Sequence, residues 1–332
     1  MDSTNDLRFA KSRINPKGGF DAEYNALKVH QIEPAEPKPA RTDLRYRVSA
    51  RLLGRLERLA KARFEIRKLT GQDIESWRHL SPEPYTELAQ SVNASSEIEN
   101  EHVHAQELSL VLAAVTEHKD NVVTDELSDR GKAVKSIIEA YLWALTLDRR
   151  SFIDLDLVLE IHSRMFVTTK PQIAGRTKAI EVAIRGGGYD VMTLSPTKTI
   201  VFLKSICERT NERLENAVRF AEEPLLLIVA EFILDFLAIH PFEDGNGRTA
   251  RLLSTYLLER CGYHFARFYP LDNVILESRS EYYEALYRAQ KDWFGPSEDL
   301  TPWVDFYIDA IHSQFLRAYQ RVIDKYQRES IE

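Results

Sequence analysis

The chain has 332 residues, of which 44% are hydrophobic and 29% are charged, a balance typical of a globular protein with a sizeable core. Its formal net charge of −7 argues against a general affinity for nucleic acid backbones. The two cysteines, Cys207 and Cys261, are far apart in the chain. This spacing argues against a disulfide scaffold and against a cysteine-ligated metal.

The sequence shows no pattern that predicts secretion or membrane insertion. Residues 1–6 lack the apolar core of a signal peptide. The most apolar run, residues 225–239, is broken by Glu231 and Asp235 and is too short to span a bilayer. We therefore expect a soluble, cytoplasmic protein with neither membrane nor nucleic acid as a partner.

The chain divides into four regions. Residues 1–43 are polar and rich in proline, which predicts an extended arm, either loose or laid on the surface. Residues 44–125 and 126–296 carry apolar residues at helical spacing, and 297–332 adds one amphipathic helix. The predicted helices are 44–69, 104–118, 129–147, 153–166 (with Ser151 and Asp154 as cap candidates), 197–220, 224–238, 247–261, 279–292 and 301–328, while 83–93 suits a helix or a loop.

One segment departs from the helical pattern. Short apolar runs on either side of Gly186-Gly187-Gly188 predict a β-hairpin over 181–193. The glycine triplet could also suggest a phosphate loop, but no Gly-Lys-Ser/Thr follows it, so a turn is favoured. The fold class predicted is therefore all-α, a helical bundle with one small hairpin.

The most informative stretch reads His240-Pro-Phe-Glu-Asp244-Gly-Asn-Gly-Arg248-Thr-Ala-Arg251 and joins two apolar helices. His240 can accept a hydroxyl proton, and residues 245–247 place backbone N–H groups at a helix N-terminus, where anions bind. Asp244 beside such an anion site suggests an intervening Mg²⁺. Arg248 and Arg251 project from one helix face. Taken singly, the histidine and the Asp-Gly-Asn-Gly turn are also ordinary loop features, but together they favour transfer of part of a nucleotide to a hydroxyl.

The pattern His240-x-Phe242-x-Asp244-Gly-Asn-Gly-Arg248-x-x-Arg251 resembles the signature of the Fic domain without departure. The resemblance extends in helix order over roughly residues 90–300, and implies a catalytic core at 126–296. Fic proteins are mostly enzymes that transfer AMP from ATP to hydroxyl side chains of proteins. The resemblance implies ATP and Mg²⁺ as ligands, His240 as the base and Phe242 as the anchor of the loop. It also implies Asp244 as the metal ligand and a nucleotide-binding stretch made of Gly245, Asn246, Gly247, Arg248, Thr249, Ala250 and Arg251.

A second resemblance lies upstream. Ser95-x-x-x-Glu99-Asn100 is similar to the inhibitory motif that some Fic proteins carry on a helix before the core. It implies that Glu99 pairs with Arg251 and blocks the γ-phosphate. The competing interpretation is a capping box at Ser96-Glu97-Ile98-Glu99, which would start a helix here.

Two further features follow from the resemblance. The hairpin at 181–193 corresponds to the flap that holds a target protein, although its glycine triplet is unusual. Tyr282 and Tyr283 resemble the tyrosines that line an adenine pocket, but an asparagine expected before them is absent, and core packing is the alternative.

Several functions remain open on the sequence alone. The first is an auto-inhibited adenylyltransferase, the second a de-AMPylase in which Glu99 orients a water at the same site, and the third a catalytically silent protein-binding module. A homodimer is compatible with each of these functions. His102 and His104 point in different directions on a helix and are expected at the surface. The C-terminal helix leaves no evident DNA-reading module.

Overall fold

The computed structural model describes residues 27–29, 45–70, 84–116, 126–148, 152–186, 189–220, 224–267 and 269–329. The strands are β1 (Leu27–Val29), β2 (Ala183–Gly186) and β3 (Tyr189–Met192). The helices are α1 (Ala50–Thr70), α2 (Pro84–Ile98), α3 (Ala105–Thr116), α4 (Asp129–Ala144), α5 (Leu155–Phe166), α6 (Pro196–Phe220), α7 (Leu225–Ile239), α8 (Asn246–Arg260), α9 (Asp272–Glu277), α10 (Arg279–Gln290) and α11 (Thr301–Glu329).

The predicted fold class is confirmed, since helices packed around one core carry a small sheet. β2 and β3 form the expected antiparallel hairpin, with Ala183 opposite Met192. The sequence did not predict the third strand. Residues 27–29 of the N-terminal region pair in parallel with β3, so that the sheet order is β1-β3-β2. The rest of the predicted arm lies outside the described residues.

Helix α7 passes through the centre of the core, as its apolar composition predicts. Every residue of α7 from Leu226 to Ile239 is buried. The helix packs against α6 and α8. It ends where His240 takes a left-handed conformation with φ 52°, just before Pro241, a residue that disfavours helix at the position preceding it. The loop that follows therefore starts from a fixed support.

The helix boundaries differ from the predicted ones in a few places. The segment 83–93, for which the sequence left helix and loop as alternatives, belongs to α2 from Pro84 onward, and α2 continues through Ser95 and Ser96 to Ile98. Asp154 caps α5, because its side chain accepts from the Leu157 N–H at 2.8 Å, whereas Ser151 lies outside the described residues. The short helix α9 and the 3-10 turn at 264–267 were not predicted. Within the described ranges no helix is long and apolar enough to cross a membrane.

The almost wholly apolar helix α7 carries two buried carboxylates, Glu231 and Asp235. It tolerates their charge because both are paired with arginines. Asp235 is fully buried and accepts from both Arg45 Nη atoms, at 2.7 and 2.8 Å. It also accepts from Trp293 Nε1 at 2.8 Å and from Arg209. Arg45 in turn donates to Glu298 at 2.7 Å. This cluster fixes two segments to the central helix: the residues just before α1, through Arg45, and those just before α11, through Glu298.

We predict that Arg45→Met lowers the free energy of unfolding by about 3–5 kcal/mol, because it removes one partner of a buried ion pair. The matched control is Arg47→Met: Arg47 is 84% exposed and pairs with Asp299 at 3.4 Å, an arrangement that contributes little. Urea unfolding followed by circular dichroism measures both variants. Equal stability of the two variants would contradict the role assigned to the cluster.

Candidate active site

The loop between α7 and α8 borders a pocket of about 470 Å³. The pocket brings together residues from the end of α2, the hairpin, the signature loop and α10, as the resemblance implies. Its lining includes Glu99, residues 180–184, His240, Asp244, Gly245, Asn246, Gly247, Tyr282, Tyr283 and Gln290.

His162 on α5 holds the loop from beneath, a role that the sequence analysis missed. Its ring stacks on Phe242 with centroids 3.7 Å apart and 9° between the planes. Its Nδ1 accepts from the Gly175 N–H at 3.0 Å, so Nε2 carries the proton and donates to the Asp244 carbonyl at 3.0 Å. Burial lowers the pKa of His162 to about 4, which keeps the ring neutral. The expected anchor, Phe242, is fully buried.

The loop is closed by its own backbone and by Asn246. The Phe242 N–H donates to Asn246 Oδ1 at 2.9 Å, and Asn246 Nδ2 donates to the Phe242 carbonyl at 2.8 Å. Gly245 has φ 81°, and a Cβ there would lie 2.3 Å from the Phe166 ring, so only glycine fits. The Asn246 side chain is therefore structural, and its contribution to anion binding is limited to the N–H groups of the first turn of α8.

His240 is positioned to act as a base. Its Nδ1 lies 3.3 Å from the Leu237 carbonyl, which assigns the proton to Nδ1 and leaves the Nε2 lone pair free to accept. Burial and the ammonium of Lys178 lower the pKa of His240 to about 3. Lys178 is itself buried and donates to Thr193 Oγ1 at 2.7 Å and to the Ile239 carbonyl at 3.0 Å. The imidazole is therefore neutral at physiological pH.

Asp244 carries a half-exposed carboxylate beside the helix N-terminus. Although burial opposes it, the pKa of Asp244 is lowered by Arg248 and Lys170. Oδ2 accepts from Lys170 Nζ at 2.6 Å and Oδ1 from Arg248 Nη2 at 3.3 Å. The described residues contain no group of three or more His, Cys, Asp or Glu side chains that could hold a metal ion. A single hard carboxylate suits Mg²⁺, which commonly takes one or two carboxylates together with phosphate oxygens and water.

Arg251 is buried and held by Ser95 and Glu99 at the end of α2. Its Nε donates to Ser95 Oγ at 2.6 Å, and its Nη2 donates to the Ser95 carbonyl and to Glu99 Oε1, each at 3.1 Å. Asp272 lies 3.2 Å from Nε. Although burial alone would lower it, Glu99 raises the pKa of Arg251. Nη1 is buried and has no hydrogen-bond partner within the described part of the chain.

The capping-box interpretation of Ser96-Glu97-Ile98-Glu99 is wrong, because this segment ends a helix and does not start one. The N–H of Asn100 donates to the Glu97 carbonyl at 3.0 Å, and that of Glu101 donates to the Ser96 carbonyl at 2.8 Å. Asn100 has φ 60°. This is a Schellman motif, so Asn100 acts as the residue that terminates α2.

Four residues of the expected nucleotide-binding stretch are not among those that line the pocket: Arg248, Thr249, Ala250 and Arg251. Thr249 and Ala250 are buried inside α8. The Thr249 N–H already donates to the Gly245 carbonyl at 2.9 Å, and its hydroxyl faces Met165. Thr249 and Ala250 pack in the core, because a helix presents only part of its circumference to a ligand, and their inclusion in the nucleotide site stays a prediction.

The paired tyrosines line the pocket as expected, and both also pack. Tyr282 is 4% exposed and its ring lies edge-on to Tyr283, with centroids 5.3 Å apart. Tyr283 is half-buried and lies beneath the Arg279 guanidinium. Away from the pocket, His104 is exposed and its ring centroid lies 6.0 Å from that of His102, in agreement with a surface position.

Comparison with known proteins gives the same family as the signature. Residues 152–258 match the Fic/DOC family. The protein adenylyltransferase fic-1 of Caenorhabditis elegans is 32% identical over 162 residues, which is 49% of this chain and 27% of that protein. The protein adenylyltransferase Fic of Aedes aegypti is 30% identical over 173 residues, 51% of this chain and 30% of that protein. The chain thus spans about a third or less of the length of these relatives.

Solved structures show the same fold over more of the chain. A structure of Fic-1 residues 134–508 from C. elegans has a TM-score of 0.61 and 25% identity, and the match covers 84% of this chain and 73% of that one. A Fic family protein from Desulfovibrio desulfuricans G20 also has a TM-score of 0.61, at 20% identity over 85% of this chain and 77% of that one. The family match itself is confined to residues 152–258, whereas the shared fold extends over most of the chain.

Proposed function

We propose that the chain is an auto-inhibited protein adenylyltransferase, which transfers AMP from ATP to a Ser, Thr or Tyr hydroxyl of a target protein. The observation that carries the proposal is the pocket in which a neutral His240, the carboxylate of Asp244 and the start of α8 meet, with Glu99 3.1 Å from Arg251. The relatives named protein adenylyltransferase support the reaction type.

His240 has the protonation state that the reaction requires. The target oxygen attacks the α-phosphorus, a new P–O bond forms, and the bond from that phosphorus to the β-phosphate oxygen breaks. The hydroxyl proton moves to Nε2 of His240, and pyrophosphate leaves with the electron pair of the broken bond. The Leu237 carbonyl, 3.3 Å from Nδ1, stabilises the imidazolium that forms.

The triphosphate would lie along the start of α8. The first-turn N–H groups and the helix dipole attract its charge, and Arg248 and Arg251 supply guanidinium donors. Asp244 would hold Mg²⁺, which neutralises phosphate charge when bound. The residues of the loop are rigidly supported by His162 and Asn246, so they need little reorganisation before the reaction.

Inhibition follows from the occupancy of Arg251. Glu99 Oε1 accepts from Arg251 Nη2, and a Cβ on Gly247 would lie 2.5 Å from the same oxygen. The carboxylate therefore fills the space above the first turn of α8 and adds a negative charge where the terminal phosphate would bind. A nucleotide must displace this charge to bind productively.

The hairpin leaves one edge for a target segment. The outer edge of β3 is paired with β1, whereas residues 180–184, at and before β2, border the pocket. An extended peptide that adds to the β2 edge would carry its hydroxyl toward His240, since strand addition fixes register by main-chain hydrogen bonds. We propose the β2 edge as the docking site of the target protein.

Hydrolytic removal of AMP is a second candidate function. Glu99 lines the same pocket as His240, and its side chain is 34% exposed, so it can orient a water toward a bound phosphorus. Release of AMP from a pre-modified target, measured with the wild-type chain and with Glu99→Gly, separates the two reactions. Removal requires Glu99, whereas transfer is inhibited by it.

We predict that Glu99→Gly raises self-modification by roughly 5- to 150-fold, the usual range of a regulatory coupling, because it frees Arg251. Adding His240→Ala should abolish the modification, since it removes the proposed base. Intact-mass spectrometry after incubation with ATP detects each added AMP. The matched control is Glu97→Gly, because Glu97 is exposed in the last turn of α2, two residues before Glu99. This variant should keep the wild-type rate.

An unchanged rate in Glu99→Gly would remove the inhibitory role of this residue. If Glu99→Gly also failed to bind ATP in calorimetry, a catalytically silent binding module would replace the enzyme.

A second prediction concerns pH. A base whose pKa is about 3 stays unprotonated well below neutrality, so kcat of Glu99→Gly at saturating ATP should change by less than about twofold between pH 7.5 and 5.5. A histidine with the ordinary pKa of about 6.5 would cause a roughly tenfold fall over this range. An acid limb with a midpoint near 6.5 would contradict the neutral, buried environment described for His240.

This measurement needs a folding control because His162 acts in the same pH range. Its folded-state pKa is about 4, so the unfolded chain binds a proton below about pH 6.5 that the folded chain does not. Stability is therefore lost as the pH falls from about 6.5 toward 4. Circular dichroism at pH 5.5 verifies that the rate is measured on folded protein.

A further inference from the structure

Beside the pocket, four side chains pair in a closed ring of alternating charge. Asp244 Oδ2 accepts from Lys170 Nζ at 2.6 Å, and Lys170 also donates to Glu101 Oε1 at 3.2 Å. Glu101 Oε2 accepts from Arg248 Nη1 at 2.5 Å, and Arg248 Nη2 closes the ring to Asp244 Oδ1 at 3.3 Å. Two of these four residues, Asp244 and Arg248, are those assigned above to the metal and the phosphates.

Glu101 is a major counter-charge of a buried arginine. The Arg248 side chain is 2% exposed, whereas that of Glu101 is 35% exposed. The guanidinium also lies over the Phe166 ring, 4.8 Å from its centroid. A buried guanidinium without a counter-charge is strongly unfavourable, so Arg248 must be paired with either an acidic side chain or an anionic ligand. In this structure Glu101 supplies that charge from the solvent side.

The turn at the end of α2 explains how two glutamates reach two arginines. Asn100 ends the helix in a left-handed conformation, and the Glu101 N–H bonds back to Ser96. Glu99 therefore lies just before the turn and Glu101 just after it. Their carboxylates contact Arg251 and Arg248 respectively, which are one turn apart on α8.

We propose that Glu101 is a second inhibitory carboxylate, which competes with nucleotide phosphate for Arg248 as Glu99 competes for Arg251. Lys170 acts as a positioning residue that holds Glu101 and covers Asp244. The proposal rests on the function proposed above and extends its regulation. Loss of Glu99 then frees only one arginine, whereas displacement of the whole turn frees both arginines together.

The test measures nucleotide binding without turnover. In a His240→Ala background, isothermal titration calorimetry gives the Kd of Mg-ATP for the parent, Glu101→Gln, Glu99→Gln and the double variant. Tripolyphosphate in the presence of EDTA provides a second probe that needs no metal. Glu97→Gln is the matched control, because it removes the same charge from an exposed position in the last turn of α2, four residues before Glu101. Glutamine at 101 retains a hydrogen-bond acceptor for Arg248 and so favours a folded variant.

We expect Glu101→Gln to bind Mg-ATP and tripolyphosphate roughly tenfold more tightly than the parent, within the usual range of coupling between sites. The double variant should bind more tightly than either single variant, and Glu97→Gln should match the parent. The gain should persist at 0.5 M salt, where exposed charges are screened over about 4 Å or less, because Glu101 acts by contact.

Unchanged or weaker binding in Glu101→Gln, with tighter binding in Glu99→Gln, would overturn this proposal and leave the proposed function intact. A gain that Glu97→Gln shares, or that disappears at high salt, would also overturn it, since net charge alone would explain the effect. If no variant binds Mg-ATP, the proposed function fails and this inference fails with it. Thermal unfolding of each variant verifies that the comparison is made between folded proteins.

Discussion

The charge of two buried guanidinium groups is the constraint on which the site depends. Arg248 and Arg251 are 2% and 3% exposed in their side chains, and each must be neutralised locally. In the conformation described here the neutralising groups are acidic side chains from the end of α2, with Asp244 and Asp272 contributing from nearby. A triphosphate offers the same charge and the same oxygen acceptors. In the proposed function, folding stability and ligand exclusion come from one set of contacts, and release of the acidic turn becomes favourable only when another anion replaces it.

The rigidity of the loop has a separate origin, beneath the pocket. Asp235, buried on α7, is tied to Arg45 and Trp293, so the helix that leads into the loop is fixed along its length. His162 and Asn246 then close the loop by hydrogen bonds that use its own backbone. The loop residues proposed to act in catalysis thus lie on supports that do not involve α2. Movement of the turn that ends α2 need not disturb the geometry of the proposed base or of the proposed anion site.

The sequence was sufficient for the parts of the molecule that depend on local pattern. The signature loop, the core helix α7, the hairpin and most helices were predicted within a few residues. The resemblance implied one distant contact, that of Glu99 with Arg251, but others carried no signal: Arg248 and Glu101 are separated by 147 residues, and Arg45 and Asp235 by 190. No sequence motif marks Lys170, Lys178 or His162. For Lys178 and His162, a polar residue among apolar, core-facing neighbours was nevertheless a usable signal. The capping-box error arose because Ser-x-x-Glu has the same letters at either end of a helix, and only hydrogen bonding distinguishes them.

The parallel pairing of Leu27–Val29 with β3 has a consequence for handling the protein. A shortened chain that begins after residue 30 would expose a row of unpaired main-chain groups along β3, next to a glycine-rich turn. Such an uncovered edge is a template for self-association. Recombinant versions trimmed to the family domain would thus tend to form non-native oligomers through this edge. An oligomeric state measured on them would reflect the truncation and not the chain described here.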